Sequence, residues 1–368
     1  MPQNPETVLE IDLQALAHNY GVMRSMLLPQ TRLMGVVKAF AYGSEAYAVA
    51  RKLEELRADY LAVAFTREGV HLREKGIQLP IMVLHPQPGC MEDLVTHCLE
   101  PCLYSRRILQ KFLKTAESLH QKAYPAHLKF NTGLNRLGFG DGDLEWINQQ
   151  LQGQDAVEIR SLFSHLAASD DPKELDFTRR QIKDFETIIS SSRILFGDSP
   201  FKHLLNTSGV FNYPEAQWDM VRTGIGLYGY SNDPRSDSLL KPVARLRTRI
   251  SQVHQVAPGE WVGYNKGFEA ADYKTTATLP IGHADGIGRQ YGKGVGKVFI
   301  GGKSAPIIGN VCMDMTMIDV SGLDCREGDE VVFFGGIHSA EDLAARAGTI
   351  SYELLAGISQ RVPRKILE

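Results

Sequence analysis

The chain has 368 residues, of which 43% are hydrophobic and 23% charged, with a formal net charge of −3. This balance suits roughly two core-forming domains and excludes a nucleic-acid partner held by bulk electrostatics, since no basic cluster stands out. No apolar run approaches the length of a membrane span, and the first residues lack the basic-then-apolar order of a signal peptide. Five cysteines (Cys90, Cys98, Cys102, Cys312 and Cys325) form no CxxC pair. They read as reduced thiols of a cytoplasmic protein, with no disulfide framework and no metal site.

Val8–Leu13 alternates as a short strand, and Leu13–Met26 follows as a helix. Leu33–Gly43 (LMGVVKAFAYG) then opens on an apolar run with paired valines, read as a buried strand ending on Lys38. Ser44-Glu45-Ala46 opens a helical pattern in which Val49, Leu53 and Leu56 share a face. Further strands are expected at 60–65, 81–85, 101–104, 127–131, 160–165, 202–206 and 220–222, alternating with helices, the clearest at 176–190. Eight strands alternating with helices over about two hundred residues predict an α/β chain whose N-terminal part is a (β/α)8 barrel. An open doubly wound sheet would carry a glycine-rich turn after its first strand, and KAFAYG is not one.

Near residue 240 the pattern becomes strand-like, at 245–256, 261–264, 275–279, 297–301, 305–308, 315–320 and 330–335, with one late helix at 340–347. The expected division is a cofactor-binding barrel at 11–237 and a mostly-β domain formed by 1–10 and 238–368. The glycines of 286–302 do not make a phosphate loop. Walker spacing fails at Lys297 and β-type residues follow, so hairpin glycines explain them.

Ligands of parallel barrels gather at the carboxyl ends of the strands. The polar residues there are Lys38 and Tyr42, Lys129 and Arg136, His165, Asn206 and Thr207, and Arg222. Basic side chains together with amides such as Gly209, Gly224 and Ile225 suit a phosphate. A lysine flanked by apolar residues loses its ammonium form to desolvation and becomes a nucleophilic amine. Lysine beside phosphate suggests pyridoxal phosphate.

These residues lie in motifs that carry a family resemblance. VVKAFAYG, HLKFNTGLNRLGFG, FSHLAASD, MVRTGIGLYG, LPIGHADGIGR and APIIGNVCMDMTMIDV, in this order and spacing, resemble alanine racemase, the fold-type III pyridoxal-phosphate family, over essentially the full length. The resemblance implies that Lys38 carries the cofactor. It implies a cofactor site of Lys38, Tyr42, His165, Asn206, Thr207, Arg222, Gly224, Ile225 and Tyr352, with Arg222 facing the pyridine nitrogen. Arg136 and Lys129, with Met313 of a partner chain, match the substrate-carboxylate positions. The implied activity is interconversion of L- and D-alanine by a homodimer with shared sites, serving cell-wall precursor supply.

The family's second base is a tyrosine in a PIGYADG motif from the partner chain; here the motif reads PIGHADG, placing His283 at that position. Imidazole, with a pKa of about 6.5 against about 10 for phenol, is a competent base at neutral pH, although its ring is shorter. Asn131 stands where the family usually has aspartate, beside Lys129. Two rival readings are the same scaffold acting on another small amino acid such as serine, and a cofactor-binding protein without racemase activity. Retention of Arg136 and Met313 weighs against the second.

Overall fold

The structure is a computed structural model and describes residues 6–368. The chain divides into two units. One holds Ala17–Ala39 and Ala46–Leu240; the other holds the segment ending at Leu16, Phe40–Glu45 and Lys241–Glu368. The first strand, β1 (Val8–Asp12), belongs to the second unit.

The first unit is a closed parallel barrel of β2 (Arg32–Val36), β3 (Tyr60–Val63), β4 (Ile81–Val83), β5 (Glu100–Leu103), β6 (Tyr124–Lys129), β7 (Val157–Phe163), β8 (Phe201–His203) and β9 (Met220–Thr223). It closes through β2 and β9, with Arg32 opposite Met220 and Gly35 opposite Thr223. The strands are short apolar runs because both faces are buried, one inside the barrel and one under helices. Helix Arg106–Ser118 shows the pattern: Ile108, Leu109, Phe112, Leu113 and Ala116 are buried, and the Ser105 hydroxyl accepts from the Ile108 amide. The helix expected at 176–190 runs further, from Leu175 to Phe196, and ends on Gly197 at φ +61°.

The lysine-bearing strand differs from expectation. β2 ends at Val36, and Ala39, Phe40, Ala41 and Tyr42 then all adopt left-handed φ values of 53–58°, followed by Gly43 at 79°. Left-handed turns of L-residues cost about 1–2 kcal/mol per residue, so tertiary contacts must hold this one. The Ala39 amide donates to Glu68, and the Gly43 carbonyl accepts from Arg364. At Gly43 a Cβ would lie 2.0 Å from the Leu355 carbonyl oxygen, so no other residue fits. This anchoring to Leu355 and Arg364 also explains why Phe40–Glu45 group with the second unit rather than with the expected 11–237 barrel.

The second unit is built on a nine-stranded sheet and a small two-stranded one. After β1 come β10 (Ala244–Arg249), β11 (Gln252–Val256), β12 (Trp261–Val262), β13 (Phe268–Glu269), β14 (Lys274–Leu279), β15 (Lys297–Ile300), β16 (Lys303–Ile308), β17 (Thr316–Asp319), β18 (Glu330–Phe334) and β19 (Arg364–Leu367). The large sheet runs β11-β14-β17-β16-β15-β18-β10-β1-β19. Pairing of β1 with β10 and β19 carries residues 11–16 into this unit, beyond the expected boundary at 10; residues 1–5 of the expected 1–10 segment lie outside the described residues. The single strand expected at 245–256 is two, because Ile250 and Ser251 turn away to bond Asp329 and Thr278. Gly301 and Gly302, both at positive φ, form the two-residue loop between β15 and β16. A second late helix, Ser351–Gly357, was not expected, and it carries Tyr352.

Candidate active site

Lys38 lies two residues past the end of β2 and is half-buried. Desolvation lowers its pKa, Arg136 lowers it further, and Glu68 opposes the shift. Glu68 also accepts from the amides of Ala39 (2.7 Å), Ala64 (2.6 Å) and Phe65 (3.0 Å), tying the segment after β2 to the one after β3. Lys129, at the end of β6, is 7% exposed. Its pKa is lowered by desolvation, with Cys102 opposing and Arg136, Arg222 and Lys38 adding to the shift. Arg136 itself is exposed, on a loop that Asn131 shapes by accepting from the Gly133 and Asn135 amides. Asn131 Nδ2 also donates to Asn135 Oδ1 (2.8 Å), a bond that a carboxylate could not make, which accounts for an amide at that position.

Arg222, in β9, is 4% exposed. It donates to His203 Nδ1 (2.7 Å), His165 Nδ1 (3.1 Å) and the carbonyls of Ser164 (2.7 Å) and Leu204 (3.0 Å). Burial holds its guanidinium down to about 10, so it remains a cation at neutral pH. The Phe163 ring lies under both cations, 5.2 Å from the Arg222 guanidinium carbon and 5.8 Å from Lys129 Nζ. Burial, then Arg222, Lys129, Arg136 and Lys38, push His165 well below its usual pKa. It is a neutral imidazole that accepts at Nδ1 and carries its proton on Nε2. Lys38, Lys129, Arg136, His165 and Arg222 therefore come together at the carboxyl end of the barrel strands.

Asn206 and Thr207 open helix Thr207–Asn212. The Asn206 side chain accepts from the Gly209 amide (2.9 Å) and the Ser169 hydroxyl (2.8 Å), so it serves as the helix cap. The Thr207 hydroxyl accepts from the amides of Gly224 and Gly226, both at 3.2 Å. This joins the β8 and β9 loops and brings Ile225, buried at the start of the turn Ile225–Tyr228, beside them. Gly226 escaped the sequence reading. A Cβ there would lie 2.6 Å from Thr207 Cγ2.

The remaining expected residues lie in the second unit. Tyr42 and Tyr352 have ring centres 6.0 Å apart, and burial, then Tyr352, raises the Tyr42 hydroxyl pKa. Tyr42 is accordingly a hydrogen-bond donor at neutral pH. His283 is exposed at the start of the turn His283–Asp285. Its amide donates to the Cys312 carbonyl (2.9 Å), and the Ala284 amide donates to that of Met313 (3.0 Å). These backbone bonds set His283 beside Met313, which is 58% exposed. Buried Asp285 anchors the loop, accepting from the Gly282 amide (2.8 Å) and from Arg361 (2.9 Å), which also holds Asp314 (2.7 Å). Glu68, Phe163, His203 and Arg361 were not singled out from the sequence. For Glu68 a signal exists, an acid three residues after Phe65 at the start of the helix Thr66–Glu74.

A barrel with a desolvated lysine among three further cations at its strand ends has the chemistry that suits a lysine amine and an anionic ligand. The family described as "Alanine racemase, N-terminal domain" matches residues 11–232, and "Alanine racemase, C-terminal domain" matches 243–366. The alanine racemase of Sorangium cellulosum is 36% identical, with 97% of this chain and 98% of the relative covered. That of Halothermothrix orenii is also 36% identical, covering 98% and 96%. Among solved structures, alanine racemase of Clostridium difficile 630 superposes with a TM-score of 0.92 at 33% identity, covering 99% of this chain and 96% of the other. The Bacillus anthracis enzyme with bound L-Ala-P gives 0.92 at 28% identity, covering 100% and 96%. The chain belongs to the alanine racemase family.

Proposed function

We propose that this chain is a pyridoxal 5′-phosphate-dependent alanine racemase, acting as a cytoplasmic homodimer that supplies D-alanine for cell-wall precursors. The observation that carries the reading is the desolvated amine of Lys38 among Arg136, Lys129 and Arg222. The residues fit the cofactor by their chemistry. Lys38 suits its aldehyde; Thr207, Tyr42, Tyr352 and the backbone at Gly224 and Ile225 suit its phosphate; Arg222, with His165 behind it, suits its ring nitrogen. When bound, pyridoxal phosphate supplies an aldehyde for the amino group and an electron-withdrawing ring that eases cleavage of the Cα–H bond.

Lys38 removes or returns the proton on one face of Cα, and His283 of a second copy serves the other. Arg136 holds the substrate carboxylate, helped by Lys129 and by Met313 of the second copy. Arg222 would hold the ring nitrogen as a hydrogen-bond donor and, staying a cation at neutral pH, would yield no proton to it, which would restrain side reactions of a strongly electron-poor ring. Dimerisation is supported by an apolar surface of the second unit. Tyr264, Met313 and Met315 are 74%, 58% and 50% exposed and line a cavity of about 500 Å³. Among the described residues no helix is long and apolar enough to cross a membrane.

The test is racemisation by purified protein of each small amino acid, with a visible absorbance spectrum and borohydride fixation of the cofactor. Label on Lys38 and preference for alanine support the reading. Preference for serine moves it to the rival substrate, and bound cofactor without turnover moves it to a binding protein.

A further inference from the structure

A line of polar side chains runs through the interior of the barrel to Arg222, and its other members take no part in the chemistry above. Arg222 Nη1 is 2.7 Å from His203 Nδ1, and His203 Nε2 is 2.8 Å from Ser161 Oγ. Ser161 Oγ is 2.7 Å from His127 Nδ1, and His127 Nε2 is 2.8 Å from Glu100 Oε2. The line crosses five adjacent strands, from Glu100 at the start of β5 to Arg222 in β9. His127, Ser161 and His203 are wholly buried, and Glu100 is 8% exposed.

Chemistry at the two ends, with the need of the Ser161 hydroxyl for an acceptor, orders the protons in between. Arg222 can only donate, so His203 accepts at Nδ1 and carries its proton on Nε2, which donates to Ser161. Glu100 as a carboxylate can only accept, so His127 donates from Nε2; the Ser161 hydroxyl, which already accepts from His203, has His127 Nδ1 as the acceptor for its own proton. Of the arrangements that satisfy all four bonds, only this one also gives the buried Ser161 hydroxyl proton an acceptor within the line, with all protons pointing from Arg222 towards Glu100. A protonated His203 would set donor against donor at Arg222. In agreement, burial, then Arg222 and His127, push His203 well below its usual pKa. His203 is held flat against Phe163, with ring centres 4.8 Å apart and planes within 6°. Polar chains in a dry interior polarise one another, and a half-satisfied one is costly.

We propose that Glu100, His127, Ser161 and His203 form a positioning relay for Arg222, in which Glu100 is the distant counter-charge of the buried guanidinium. The relay fixes the orientation of Arg222 and sets how strongly it donates to the group it faces. This second effect rests on the reading that Arg222 faces the cofactor ring. Glu100 also hydrogen-bonds Tyr60, whose hydroxyl meets Arg160, so a purely local role beside Arg160 is the competing account.

The test uses the full-length dimer and three variants, E100Q, S161A and the double variant. Nitrogen-15 spectra of the histidine side chains should show His127 and His203 of the wild-type protein as neutral Nε2–H tautomers, with or without cofactor. E100Q should move the His203 and Arg222 nitrogen signals, although Glu100 touches neither; S161A should move them alike. In the loaded enzyme each single change should lower kcat about tenfold with the KM for alanine held, and shift the cofactor absorbance. The double variant should be no worse than either single, because both break one chain. Nδ1–H tautomers, His203 signals blind to E100Q, or additive losses would overturn the relay while leaving the racemase reading standing. Absence of cofactor on Lys38 would overturn that reading while the nitrogen spectra still decide the relay.

Discussion

The surroundings of Lys38 and those of His283 are built in opposite ways. Around Lys38 and Arg222 charged and aromatic side chains surround the cations themselves: Glu68 faces half-buried Lys38, and His165, His203 and Phe163, with two backbone carbonyls, hold buried Arg222, and both cations have moved pKa values. Around His283 the partners are backbone. Two amide bonds to the Cys312–Met313 segment and the Asp285–Arg361 pair fix the loop while the imidazole itself stays exposed. The barrel region arrives with its electrostatics assembled. The His283 loop is a mount held by these bonds that presents a side chain outward, the geometry that the proposed role on a second copy requires.

The largest expected effect breaks the barrel side of this contrast. Lys38→Ala should lower racemisation by more than about 10⁴-fold, since it removes the residue proposed both to anchor the cofactor and to act as one base. Co-folded with His283→Ala, it should regain roughly half of wild-type activity per mixed dimer, because one of the two shared sites then holds both bases. Verified mixed dimers without activity would show that each site is built within one chain.

A middle-sized effect concerns the mount. Arg361→Ala leaves Asp285 and Asp314 without their shared cation and should cost about 10- to 100-fold in kcat through misplacement of His283. The bound cofactor's absorbance should not change, because Arg361 pairs with Asp285 and Asp314 and with none of the residues proposed to hold the cofactor; a spectral change would blur the division between the two regions.

The smallest effect is a pair of opposed pH shifts at Lys38. Its pKa is lowered, so the reactive amine persists to lower pH than in an ordinary lysine. Arg136→Gln removes a neighbouring cation, raises that pKa and should move the pH limb of pyridoxal-phosphate uptake upward. Glu68→Gln removes the opposing anion and should move the limb downward. Rates of uptake by cofactor-free protein across pH check both signs.

The barrel strands were legible because buried parallel strands read as continuous apolar runs separated by amphipathic helices. The turn after β2 was not. Ala39-Phe40-Ala41-Tyr42 contains no glycine, and its left-handed backbone is imposed by Glu68, Arg364 and Leu355 from remote parts of the chain. The helix at Ser351–Gly357 is only seven residues long, too short for a periodic pattern. Tyr352, Met313 and the role of position 283 came from family resemblance, since no local pattern marks them. The relay residues each look like an isolated polar interruption of an apolar strand. Only closure of the barrel brings Glu100, His127, Ser161 and His203 into line.

The central claim is that His283 is the second base. The direct measurement is His283→Ala assayed two ways: racemisation in both directions, and loss of the Cα deuteron from labelled D-alanine into water. Racemisation should fall by about 10²–10⁴-fold in both directions, since each passes through both bases, while deuteron loss persists through Lys38 alone. Near-wild-type racemisation in both directions would contradict the account and give that face of Cα to another group.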